Sequence, residues 1–170
     1  MTEHLPCFHC KPGFLQALMD HLEPRYQLWA TKCDSDGISR LQPITAAAES
    51  IPVRLPVISF KKLLLPAKEP VWSWDGDRFT AAEPQPCRAV FGVAPCDLQA
   101  LWYLDQVFAE DLLYQENRQQ LLMFGAPCQT TDSCRCHPTD FPLAGDLFLA
   151  DGYVWSLSTR GNLLLTEMAE

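Results

Sequence analysis

Apolar positions along this chain fall into two rhythms, and the change from one to the other marks the elements. Over residues 13–23, Phe14, Leu15, Leu18, Met19 and Leu22 recur at spacings of three and four. That is one face of a helix, and Pro24 ends it. Tyr26 to Thr31 reads as a strand, Asp34 to Gly37 as a turn, and Ile38 to Pro43 as the returning strand. Ser59 to Leu65 is a basic-then-apolar, strand-sized segment stopped by Pro66. Val71 to Trp74 and Arg78 to Thr80 flank Asp75-Gly76-Asp77, which predicts a hairpin.

The second half is plainer. Arg88 to Val93 is a near-continuous apolar run, the mark of a strand buried on both faces. Asp97 to Phe108 reads as a helix with Leu98, Leu101, Trp102, Leu104 and Phe108 on its apolar side, and Asp111 to Gln120 continues as helix. Leu121 to Gly125 is a second buried strand. Asp146 to Ala150, Tyr153 to Ser158 and Asn162 to Thr166 are separated by Asp151-Gly152 and Arg160-Gly161, which predicts antiparallel strands. Together these elements predict an α/β fold with a mixed sheet. Residues 1–170 form a single domain, with a parallel strand–helix–strand core and an antiparallel C-terminal meander. Residues 1–12 are expected to be a flexible N-terminal segment.

Composition narrows the function. The chain has 170 residues, enough to bury a core without covalent staples. Its formal charge of −8 excludes nucleic acid and anionic membranes as natural partners and suits the basic face of another subunit. No apolar run approaches the ~18 residues of a membrane helix. The N-terminus lacks a basic n-region and an apolar h-region, so a cytoplasmic location is expected. Thiols stay reduced there. Eight cysteines in such a chain (Cys7, Cys10, Cys33, Cys87, Cys96, Cys128, Cys134, Cys136) point to metal binding or redox chemistry.

Two predicted strands end alike. Arg88 to Val93 runs into Ala94-Pro95-Cys96, and Leu121 to Gly125 runs into Ala126-Pro127-Cys128. If the strands are parallel neighbours, both cysteines face the crevice where open α/β sheets bind ligands. Cys134 and Cys136 follow within one loop, giving four thiolates from one neighbourhood. By count they suit a [4Fe–4S] cluster or a structural Zn²⁺ ion. The competing reading makes Cys96 and Cys128 small buried residues at strand ends.

Cys7 and Cys10 form a separate Cys-x-x-Cys, with His4 and His9 nearby: half of a second metal site, a pair completed by another subunit, or a redox disulfide. Cys33 and Cys87 read as packing residues, and His137 as a surface histidine or an extra ligand. Asp97 reads as a cap of the helix it opens, Lys61-Lys62 as a solvated strand end, and the five tryptophans as core or interface residues. No glycine-rich phosphate loop and no nucleophile–His–Asp set stands out, so no catalytic residue is assigned.

Several stretches together resemble one family of redox proteins. They are Phe60 to Pro66 with Glu69 and Val71-Trp72; Phe91 to Leu101, including Pro95-Cys96-Asp97-Leu98; Leu104 to Phe108 with Asp111 and Tyr114 to Arg118; and Cys128, Cys134 and Cys136. Over residues 14–170 the chain is similar to the N-terminal part of the family that unites the A component of anaerobic sulfite reductase with the β subunit of sulfhydrogenase (hydrogenase/sulfur reductase). The resemblance implies an iron–sulfur electron-transfer module of anaerobic metabolism. Its partners would be other subunits of a redox complex, such as a ferredoxin-like or flavin subunit. Those proteins continue into a ferredoxin-like domain that this sequence lacks. They also carry an aromatic residue where Arg135 stands, and Cys7 and Cys10 lie outside their pattern.

Overall fold

Helices and strands alternate largely where the two periodicities place them. The computed structural model describes residues 5–45, 55–82, 85–128 and 144–169. The order is β1 (Cys7–His9), α1 (Phe14–Leu22), β2 (Gln27–Cys33), β3 (Ser39–Pro43), α2 (Lys61–Leu64), β4 (Trp72–Trp74) and β5 (Phe79–Ala81). There follow β6 (Arg88–Val93), α3 (Pro95–Val107), α4 (Leu112–Gln119), β7 (Leu121–Gly125), β8 (Leu147–Ala150), β9 (Tyr153–Ser156) and α5 (Thr159–Glu167). Seven strands form one sheet, ordered β1-β9-β8-β7-β6-β2-β3. Its centre, β2-β6-β7-β8, is parallel; β3, β9 and β1 pair antiparallel at the flanks. β4 and β5 make a separate hairpin.

Both faces of the sheet are covered, which is why its central strands are apolar throughout. On one face Leu18, Met19 and Leu22 of α1 and Leu164 of α5 pack with Ala89, Phe91 and Phe124. On the other, Phe60, Leu63 and Leu64 around α2, Leu98 and Leu101 of α3 and Tyr114 of α4 pack with Val90, Val93 and Met123. Val93 breaks strict alternation: Ala89 and Phe91 point one way, so Val93 should follow them. A register shift between Phe91 and Val93 turns it to the opposite face, and Gly92 supplies the positive φ of 73° at that bulge. The chain thus leaves β6 toward the face on which α3 packs.

Some expectations change. Ser59 to Leu65 is not a strand: Phe60, Leu63 and Leu64 are spaced by three and four, and α2 is one helical turn that buries them. Lys62 is accordingly no solvated strand end. Its Nζ donates to the Leu41 carbonyl at 2.8 Å and sits 5.3 Å from the Trp29 ring centre. Asn162 to Thr166 belongs to α5, not to a third meander strand. Ser158 caps that helix by accepting from the Gly161 N–H at 3.1 Å, so the Arg160-Gly161 pair lies in its first turn. Cys33 and Cys87 are exposed rather than packed. Trp72 and Trp74 are exposed too, so the core does not account for them. Cys7 to His9, within the segment expected to be flexible, form the edge strand β1.

The α3–α4 elbow explains one of the sequence signatures. Asp111 accepts from the Tyr114 N–H at 2.9 Å and caps α4. The buried Tyr114 hydroxyl donates to Asp105 at 2.6 Å, and Arg118 Nε donates to both Asp105 oxygens. Burial, and then the bond to Asp105, push the Tyr114 phenol well above its usual range. A phenol raised in the folded state contributes stability that is present below the unfolded value of about 10 and is lost as pH rises past it. Tyr114→Phe should therefore cost about 1.5 kcal/mol at neutral pH. It should also flatten part of the alkaline stability loss, measured by urea unfolding on both sides of that value.

Candidate metal centre

β6 and β7 pair in parallel from Arg88↔Leu121 to Val93↔Gly125. Their ladder continues one bond further, with the Ala126 N–H donating to the Val93 carbonyl at 3.0 Å. From these two adjacent ends the chain departs as Ala94-Pro95-Cys96 and Ala126-Pro127-Cys128. Neighbouring strands lie about 4.8 Å apart, so the two exits start side by side at the carboxyl edge of the sheet. Both cysteines are half-buried.

The first exit is shaped by its proline. Pro95 occupies the first position of α3, where its missing N–H costs nothing, and Ala94 is the N-cap. The helix therefore starts earlier than its apolar pattern suggests. Asp97 lies inside the first turn instead of capping it. Cys96 sits in that same turn. Burial pushes the Asp97 carboxyl up, partly offset by the Lys61 ammonium. On the α1 side of the edge a cleft of about 350 Å³ is lined by Gly92, Phe124, Ala126, Pro127, Leu149 and Asp151. Cysteine thiolates are soft donors of the kind that iron–sulfur clusters and zinc take, and Cys96 and Cys128 follow two adjacent strand ends. Cys134, Cys136 and His137 lie outside the described residues. Among the described residues no three His, Cys, Asp or Glu side chains converge.

The Cys7/Cys10 pair is built differently. Cys7 stands opposite Trp155 on β1 and is exposed. The Cys10 N–H donates to the Gly152 carbonyl at 2.7 Å, and its side chain packs against the cluster beneath α1. Burial, then the neighbouring Cys7, push the Cys10 thiol up. An activated redox thiol shifts the other way. The His9 ring stands edge-on to Tyr153, with centroids 5.3 Å apart.

Sheet order reveals a grouping that the sequence hides. β1 and β8 are both antiparallel to β9, so they run in the same direction. Cys10 therefore emerges at the same edge as Cys96 and Cys128, three strands from β7, or roughly 14 Å at the usual strand spacing. Cys33 closes β2 at that edge as well, whereas Cys87 precedes β6 at the opposite one. Only knowledge of which strands neighbour one another could have grouped them. Compared with known protein families, curated proteins and solved structures, the chain has no match.

Proposed function

We propose that this chain is an iron–sulfur electron-transfer module, with Cys96, Cys128, Cys134 and Cys136 as the ligands of one [4Fe–4S] cluster. The observation that carries this reading is the parallel pairing of β6 with β7, which delivers two Ala-Pro-Cys exits to one edge. The motifs at Phe91 to Leu101 and Leu104 to Arg118, which resemble those of the sulfhydrogenase β and sulfite reductase A family, would imply the same kind of module. When bound, the cluster accepts and releases single electrons; the protein sets its potential by burial and by N–H bonds to sulfur. A cytoplasmic redox complex with a ferredoxin-like or flavin subunit is the setting that fits. Among the described residues no helix is long and apolar enough to cross a membrane.

Protein purified without oxygen should be brown, absorb broadly near ~400 nm, and contain iron and acid-labile sulfide at about four each per chain. Zinc without sulfide would replace the reading by a structural zinc module. Colourless, metal-free protein with reactive thiols would overturn both.

A further inference from the structure

Cys7 and Cys10 lie on a strand that keeps them apart. β1 pairs with β9 at Cys7↔Trp155, Phe8↔Val154 and His9↔Tyr153. One hydrogen bond extends the ladder at each end: the Ser156 N–H donates to the Pro6 carbonyl at 3.0 Å, and the Cys10 N–H to the Gly152 carbonyl at 2.7 Å. The chain is therefore extended from Pro6 to Cys10. Three residues of extended chain span about 10 Å, and positions three apart point to opposite faces. The packing agrees. Cys10 belongs with Val154 to the core on the α1 side, whereas Cys7 stands opposite Trp155, whose ring meets Phe148 on the α3 side. A disulfide needs Cα atoms within about 7 Å and Cβ atoms aimed at each other. The docked strand denies both.

We propose that β1 is a redox-sensitive edge strand: closing a Cys7–Cys10 disulfide expels it from the sheet, and reduction lets it return. The bond needs a turn where the ladder needs extended chain, so the two exclude each other. β1 is placed to leave at little cost. It lies at the end of the sheet with β9 as its one strand neighbour, and Cys7, Phe8 and His9 are all exposed. Lys11-Pro12-Gly13 joins it to α1, with Gly13 at a φ of 85° in open space. Leu18, Met19 and Leu22 hold that helix in the core without it. The oxidant is a small disulfide of the glutathione type. The thiolate of the exposed Cys7 attacks it, forming a mixed disulfide and releasing one small thiol. The Cys10 thiolate then attacks the Cys7 sulfur and displaces the second small thiol. Two protein thiols are thereby oxidised, and one small disulfide is reduced to two thiols. The docked strand permits the first step and forbids the second, so the opening of β1 gates closure. Neither cysteine belongs to the ligand set proposed above, and the inference does not rest on that reading.

Titration of the whole chain with oxidised and reduced glutathione, followed by peptide mapping and hydrogen exchange, tests this. The Cys7–Cys10 disulfide should form, and exchange of the Cys10 and Ser156 amides should then speed up by on the order of tenfold or more, while β6 and β7 exchange as before. Cys7→Ser should keep both amides protected in the same buffers, and Cys10→Ser should stop at the mixed disulfide on Cys7. Tyr153→Ala touches neither cysteine but removes the ring contact with His9, whose centroid lies 5.3 Å away. By loosening β1 it should speed disulfide closure about threefold. A Cys7–Cys10 disulfide formed with the Cys10 and Ser156 amides still protected would overturn the proposal. So would a wild-type chain that stops at the mixed disulfide, equal loss of protection in Cys7→Ser, or an unchanged closure rate in Tyr153→Ala.

Discussion

Arg160→Met is expected to lower the free energy of unfolding by about 3–5 kcal/mol, because it strands a carboxylate in the core. Asp146 is fully buried. Its Oδ1 accepts from Arg160 Nε and from the Ser158 hydroxyl, both at 2.9 Å; its Oδ2 accepts from the Met123 N–H at 2.9 Å and from Arg160 at 3.1 Å. Arg160 also donates to the Gln119 and Leu121 carbonyls. One ion pair thus joins β7, the start of β8 and α5. Without the guanidinium, a hydroxyl and one amide are left to hold a buried charge, far too little to offset its desolvation. For a chain of this size the loss corresponds to a melting temperature lower by roughly 10 °C. Urea unfolding of Arg160→Met, Asp146→Leu and the double variant supplies the decisive comparison. The double variant should be more stable than Arg160→Met, since it removes the uncompensated charge. An Arg160→Met protein as stable as the wild type would contradict this expectation. Gly161 belongs to the same device: a Cβ there would lie 2.0 Å from the Asp146 carbonyl oxygen, so only glycine lets α5 approach.

The second large effect concerns the metal. Cys96→Ser and Cys128→Ser should each reduce bound iron and absorbance near ~400 nm by on the order of tenfold or more in anaerobically prepared protein. Cys33→Ser and Cys10→Ser should leave both unchanged. Serine is close in size to cysteine but is a poor ligand for iron held by soft donors, so the comparison isolates ligation from packing. Cys33 is the sharp control: it stands at the same sheet edge, one strand from β6, and is exposed. Loss of the cluster in Cys33→Ser with its retention in Cys96→Ser would transfer the ligand role to the other strand and sink the assignment of Cys96. Circular dichroism melting distinguishes a lost ligand from a lost fold.

Much of the architecture was legible in the chain itself. The three-four spacing of Leu18, Met19 and Leu22, and the unbroken apolar runs of β6 and β7, gave type and place together, because each element reports its own environment. The repeated Ala-Pro-Cys was legible for the same reason: it needs only that two consecutive buried strands be parallel. Short apolar runs were ambiguous. Leu163 to Leu165 fits a strand or a helix equally well by composition. Ser158 and the buried Asp146–Arg160 pair decided for helix, through contacts spanning 14 residues.

Local periodicity and residue type therefore carry most of the list of elements, the α/β class and the chemistry open to the cysteines. Three features arise only when distant segments meet. Val93 turns away from Phe91 at the Gly92 bulge, Cys10 and Cys33 come to share an edge with Cys96 and Cys128, and three aromatic rings of one hairpin remain uncovered. The reason is physical: strand order and burial are properties of pairs of segments far apart along the chain. No local pattern encodes which segment will be the neighbour.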